Sequence, residues 1–181
     1  MNKRTEGYIY LAAFIACIPL ANWLIGHVGT VCPPNNPCLV PVAPGLMAPS
    51  GVLMIGLALV LRDLVQRRLG PAWSVNAVIA GAALSAFLAP AELVIASAVA
   101  FLFSELADFL VYTPLQQRRF VLAVIASSTV GLVVDSVLFL YLAFGSLDFL
   151  AGQLVGKAIM IVLSIPFVYW LRQRDARCMA N

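Results

Sequence analysis

Six apolar stretches of membrane-spanning length occupy most of this 181-residue chain. About 20 predominantly apolar residues suffice for a helix to cross a bilayer. Hydrophobic residues make up 62% of the chain and charged residues 10%, whereas soluble domains carry about 45–50% and about 25%. The sequence therefore predicts an all-α integral membrane protein, a single domain of six transmembrane helices. The predicted spans are residues 7–26, 46–62, 73–89, 91–111, 120–144 and 149–171.

The positively charged side chains predict the direction in which these helices cross. Ten of the eleven Lys and Arg residues lie in the terminal segments or follow the second and fourth stretches, and the other three connections contain none. Cytoplasmic segments carry the excess of Lys and Arg in membrane proteins. We therefore expect both termini in the cytoplasm and a multi-pass protein of a bacterial inner membrane. Topology also explains the net charge of +3, so no nucleic acid is expected as a partner.

Ionisable residues within the predicted spans are the main candidates for function. They are Glu105 and Asp108 in the fourth span, Asp135 in the fifth and Lys157 in the sixth. A charged side chain at mid-bilayer costs roughly 2.5–3.5 kcal/mol on insertion scales, so these residues should face the inside of the bundle. The rise of about 1.5 Å per residue places Asp135 and Lys157 at a similar depth in the outer half. We therefore expect these two residues to form a buried ion pair.

Glu105 and Asp108 are the first candidates for contacts with a ligand. They share one helix face with Phe101 and Tyr112, and no lysine lies at their level in the cytoplasmic half. Asp108 could approach Arg62 at the cytoplasmic end of the predicted second span. The structural alternative is a charge-balanced polar core without a ligand.

The longest external connection contains a pair of cysteines, Cys32 and Cys38, separated by Pro-Pro-Asn-Asn-Pro. Outside the cytoplasm such a pair can form a disulfide, and two free thiols are the alternative. A metal site is not expected because only His27 lies nearby. The proline-rich continuation to Pro49 is either an extended segment over a cavity or a plain linker.

Four segments resemble, in order, the signatures of the queuosine-precursor transporters, also called the vitamin uptake transporter family. The resemblance covers about residues 46–171 and implies a carrier of 7-cyano- or 7-aminomethyl-7-deazaguanine. It also implies a fold similar to the substrate-binding subunits of energy-coupling-factor vitamin transporters. The segments are Gly51 to Gly70 with Leu-Arg-Asp-Leu-Val-Gln-Arg-Arg-Leu-Gly at its end, Ser104-Glu-Leu-Ala-Asp108, Ser128 through Asp135-Ser136 and Phe139, and Gln153 with Lys157 and Pro166.

The implied ligand suits the candidate side chains. A guanine-like edge presents two parallel N–H donors that one carboxylate can accept. Glu105 or Asp108 would supply that carboxylate, Lys157 or Gln153 would donate to the carbonyl, and an aromatic ring would stack on the base. The candidate substrate-binding residues are Glu105, Asp108, Asp135, Lys157, Gln153, Phe101, Tyr112, Asp63 and Arg62.

The leading expectation is a secondary carrier, and two other classes are weighed against it. The first is a vitamin- or nucleobase-binding subunit that needs a separate ATPase module, because this chain has no P-loop. The second is an intramembrane enzyme, which is not expected because the single histidine, His27, lies in the outer connection and a serine protease needs a serine–histidine pair. No cofactor is expected. The expected partners are a purine-like small molecule and the lipid bilayer, and a homodimer is left open.

Overall fold

The computed structural model describes residues 2–32, 37–89 and 93–180. Within them the chain is mainly helical, which confirms the predicted class, and one short β-hairpin is added to it. The hairpin pairs β1 (Leu39–Ala43) with β2 (Leu46–Pro49) in antiparallel fashion. The helices are α1 (Lys3–His27), α2 (Val52–Leu69), α3 (Pro71–Leu88), α4 (Val94–Leu115), α5 (Phe120–Phe144) and α6 (Leu150–Ala180).

Five helices, α1 and α3 to α6, are long and apolar enough to cross a membrane. The helix α2 does not meet that criterion, since Arg62, Asp63, Arg67 and Arg68 interrupt its apolar sequence. The predicted span over residues 46–62 is wrong at both ends, because 46–49 form β2 and the helix continues to Leu69. Arg62 therefore lies inside a helix. It no longer counts among the basic residues next to the spans, from which the orientation was predicted. The predicted start of the fourth span, residue 91, lies outside the described residues.

The helix α2 can hold these charges because it is the interior helix of the bundle. It contacts all five other helices, and every residue from Ala58 to Gln66 except Leu61 is buried. Gly56 permits the close approach of α6, since a Cβ atom there would lie 2.7 Å from the backbone oxygen of Lys157. Arg62 and Asp63 of α2 are therefore surrounded by protein.

Residues 37–50 of the connection between α1 and α2 form an ordered cap rather than a plain linker. Cys32 and Cys38 are joined by a disulfide, which is the first of the two alternatives for these cysteines. The backbone N–H of Cys38 donates to the carbonyl of Ile25 at 2.8 Å, so the loop is attached to the end of α1. The hairpin also packs tightly on α6, since a Cβ atom at Gly152 would overlap the carbonyl oxygen of Met47.

Candidate functional site

A cavity of about 60 Å³ lies at the hairpin end of the bundle. Each of the six helices contributes to its wall, and Pro49 at the end of β2 completes it. Such a position, shared by all helices of a bundle, is typical of ligand sites in helical proteins. The polar residues of the wall are Asn22, Ser85, Ser97, Asp135, Gln153 and Lys157.

Lys157 organises the polar part of this wall. Its ammonium group contacts Asp135 Oδ2 and donates to Ser136 Oγ at 2.8 Å and to Gln153 Oε1 at 2.9 Å. These contacts use all three donors of the ammonium group. The expected pairing of Asp135 with Lys157 is therefore present, and Gln153, one helical turn before Lys157, is oriented by the same ammonium group.

Phe101 and Phe139 supply aromatic surface to the cavity wall. Phe101 is held from behind by Phe14, with 6.0 Å between the ring centroids. Phe139 similarly packs against Phe144 at 6.0 Å. The cavity thus combines an oriented acid, a lysine and an amide with two aromatic side chains, which are groups that can recognise a flat polar ring.

A second polar cluster surrounds Arg62, and we call Arg62, Asp63, Glu105 and Asp108 the Arg62 cluster. Arg62 Nε donates to Glu105 Oε2 at 3.2 Å, and Nη1 donates to Gln66 Oε1 at 2.9 Å. Its Nη2 contacts Asp108 Oδ1 and lies 3.1 Å from Asp63 Oδ1. The four charged side chains are at most 2% exposed. One guanidinium of α2 therefore contacts three carboxyl groups, and two of them, Glu105 and Asp108, join α2 to α4.

The helix α5 closes the Arg62 cluster from a third side. Ser127 Oγ donates to Asp63 Oδ2 at 2.8 Å. Gly131 leaves space for Asp108, since a Cβ atom there would lie 3.2 Å from Asp108 Oδ2. The cluster is consequently buried among α2, α4 and α5.

The cavity and the Arg62 cluster form two successive layers along the bundle. On α4, Glu105 lies one turn beyond Phe101, which lines the cavity; on α5, Ser127 and Asp135 are eight residues apart, or about 12 Å. Ser104 connects the layers, with its hydroxyl 3.5 Å from Asp135 Oδ1. The two sites are therefore neighbours, but no member of the Arg62 cluster lines the cavity.

The predicted site residues divide between these two layers. Asp135, Lys157, Gln153 and Phe101 line the cavity. Glu105, Asp108, Asp63 and Arg62 form the deeper cluster, and Tyr112 lies beside it in the apolar core, with its ring 5.6 Å from the guanidinium carbon of Arg62.

The expected approach of Asp108 to Arg62 is present. Arg62 also contacts Glu105, which the sequence did not predict. The role of Arg62 as the centre of this cluster was not predicted, because the second span was predicted to end at that residue. Sequence reasoning also missed Ser85 and Ser97 in the cavity wall. Their signal was a hydroxyl flanked by four apolar or glycine residues on each side.

A third polar group, which the sequence did not predict, joins the helix ends opposite the hairpin. Arg68 Nε lies 3.0 Å from Glu6 Oε2, and Arg68 Nη2 lies 2.9 Å from Asp175 Oδ1. Arg67 Nη2 reaches Asp175 Oδ2 at 2.9 Å, and Arg174 Nη2 reaches Glu6 Oε2 at 2.5 Å. This terminal network ties α1, α2 and α6 together on the far side of the Arg62 cluster from the cavity.

Apolar helices around a polar cavity and buried charges define a multi-pass membrane protein of the transporter class. The chain belongs to the family described as "Putative vitamin uptake transporter", whose profile matches residues 50–171. That match covers more than half of the chain and includes every residue of the Arg62 cluster. Neither the curated proteins nor the solved structures contain a significant match to the chain.

Proposed function

We propose that the protein imports a 7-deazaguanine base, a cyano- or aminomethyl-substituted precursor of queuosine, across a bacterial inner membrane. The observation that carries this proposal is the cavity wall itself. Asp135, Lys157 and Gln153 share it with Phe101 and Phe139, and the chain belongs to an uptake transporter family. The proposal extends that membership to a particular substrate class.

The chemistry of the cavity matches such a base group by group. A ring N–H and an exocyclic amine are parallel donors suited to the Asp135 carboxylate. Lys157 or Gln153 donates to the carbonyl oxygen, and the rings of Phe101 and Phe139 contact the faces of the base. In this structure Lys157 and Asp135 satisfy each other. Binding exchanges part of that contact for contacts with the ligand.

Transport of a bicyclic base requires the cavity to widen. A volume of about 60 Å³ has room for only a few water molecules. The base must therefore enter as the helices move apart, which is the behaviour of carriers that alternate their access around a central site. With the hairpin outside, as the charge distribution predicts, the cavity lies toward the external face and the terminal network toward the cytoplasm.

The second candidate function is a vitamin-binding subunit that relies on a separate ATPase module. The family description, which names vitamin uptake, favours it over a non-transport role. Co-purification of ATPase subunits with the protein expressed in its native host would support this reading. Uptake by the purified chain alone in liposomes would exclude it.

Direct binding tests the proposed substrate. Purified protein should bind both 7-cyano- and 7-aminomethyl-7-deazaguanine, and Asp135→Asn and Gln153→Leu should weaken that binding at least tenfold. Asp148→Asn, an exposed residue near the start of α6, is the matched control and should bind as the wild type does. In cells unable to make queuosine, the protein should restore queuosine in tRNA when a precursor is supplied. Unchanged tRNA with and without the protein would refute the proposal.

A further inference from the structure

We propose that the Arg62 cluster is a proton-binding site and that its proton is the ion that drives uptake. This inference rests on the proposed function for the transport step, whereas the proton site itself stands on the structure alone. The proton binds to a carboxylate oxygen of Asp63 or Asp108 and leaves from the same oxygen.

The charge balance of the cluster is the first argument. Three carboxyl groups face one guanidinium, and all four side chains are at most 2% exposed. If every carboxyl were ionised, the cluster would carry two uncompensated negative charges. Carboxylates that share a buried site relieve their repulsion by binding a proton, and uncompensated charge in a protein interior is strongly unfavourable.

Among the described residues, the neighbouring elements supply no further cation to the cluster, and Arg67 and Arg68, the next charges of α2, are paired with Asp175. Lys157 on α6 is already paired with Asp135 on α5. Tyr112 on α4 brings a neutral hydroxyl, and α3 has no charged residue. The charged residues of α1 lie in its first and last turns, with Glu6 engaged in the terminal network. A proton is therefore the simplest source of compensating charge.

The positions of Asp63 and Asp108 identify where the proton is held. Both carboxyl groups lie against the same nitrogen, Arg62 Nη2. Among the described residues, Asp63 Oδ1 and Asp108 Oδ2 are buried without a hydrogen-bond partner, since the geometry of Arg62 Nη2 does not make a hydrogen bond to Asp63 Oδ1. Buried carboxyl oxygens nearly always have a partner. A carboxyl proton on either aspartate supplies the missing donor.

The position of the cluster connects the proton to the ligand. Asp63 lies on α2, and Asp108 on α4 is one turn from Ser104, whose hydroxyl is 3.5 Å from Asp135 Oδ1 in the cavity wall. Loss of the proton restores repulsion between Asp63 and Asp108 and so favours separation of α2 from α4. Because both helices also line the cavity, the same movement changes access to the ligand.

Infrared difference spectroscopy on the purified protein tests the proton site without any substrate. The wild type at neutral pH should show the stretching band of a buried protonated carboxyl group, and Asp63→Asn or Asp108→Asn should remove or weaken that band. Asp148→Asn is the matched control and should leave it intact. Both Asp63→Asn and Asp108→Asn are measured, so that the test can still be read if one of the two variants fails to fold. Absence of the band, or a band that neither variant changes, would overturn the proposal.

Uptake into liposomes that contain only this protein tests the coupling. An inward proton gradient should raise accumulation of labelled 7-cyano-7-deazaguanine several-fold, and a sodium gradient should not. In Asp63→Asn, uptake with and without the proton gradient should become equal. If a sodium gradient drives uptake, or if uptake by Asp63→Asn still responds to the proton gradient, coupling to protons at this cluster is refuted. If the wild type takes up no labelled 7-cyano-7-deazaguanine at all, the proposed substrate is refuted instead. The infrared result would still decide whether the cluster binds a proton.

Discussion

Arg62 on α2 donates from Nε to Glu105 on α4 at 3.2 Å, and neither side chain is more than 2% exposed. The two residues are 43 positions apart in the sequence. Their contact explains how a helix with four charged residues can lie inside an apolar bundle. The charge of Arg62 is compensated by carboxyl groups of α2 and α4 rather than by water.

Removal of the guanidinium should therefore be strongly destabilising. Arg62→Leu leaves three carboxyl groups without a cation, and breaking a buried ion pair on one side typically costs about 3–5 kcal/mol. We expect a loss of that order in the free energy of unfolding, measured by denaturant titration in detergent. Arg118→Leu, at an exposed arginine, is the matched control, and an equal effect of the two substitutions would contradict the role of Arg62.

The pair of Lys157 and Asp135 should behave as a unit. Lys157→Met alone leaves Asp135 uncompensated and should cost about 3–5 kcal/mol. Lys157→Met combined with Asp135→Leu should be better tolerated than either change alone, because both charges are then absent. A double-mutant cycle of thermal or denaturant unfolding measures the coupling, and strictly additive losses would show that the pair does not interact.

Gly56 should be required for the close packing of α2 on α6. A Cβ atom at this position would lie 2.7 Å from the backbone oxygen of Lys157, and backbone cannot move aside as a side chain can. Gly56→Ala should destabilise the protein by about 1–3 kcal/mol and weaken ligand binding, because it displaces Lys157. Gly26→Ala is the control, since nothing lies within 4 Å of its added Cβ. Equal stability of the two variants would mean that α2 and α6 can separate freely.

The terminal network should hold the ends of α2 and α6 together. Asp175 accepts from both Arg67 and Arg68, so Asp175→Asn removes the negative charge and one of the two carboxylate oxygens that these arginines share. Because Arg67 is 21% exposed, solvent screening limits the loss, and we expect about 1–2 kcal/mol. Thermal unfolding against Asp148→Asn as control measures it, and raised salt should reduce the difference. No difference at low salt would exclude a stabilising role for the network.

Much of the helical architecture could be predicted from the sequence. Stretches such as residues 120–144 are apolar over a length that only a helix can place in lipid, and the predicted bounds match α5. The pairing of Asp135 with Lys157 was also predictable, because the constant rise per residue along two antiparallel helices places both residues at a similar depth in the membrane. These inferences depend on periodicity and length, which are local properties of the chain.

What the sequence by itself determined is a bundle of apolar helices that must bury its few charges. The tertiary structure decided how they are buried. Judged only from its neighbours in the sequence, Arg62 marks the end of an apolar span. The helix α2 nevertheless continues to Leu69, because carboxyl groups from α4 contact the guanidinium of Arg62. The β-hairpin and the terminal network were likewise not predictable, since each depends on contacts between distant segments. Charge compensation is a property of neighbours in space, and only the folded chain identifies those neighbours.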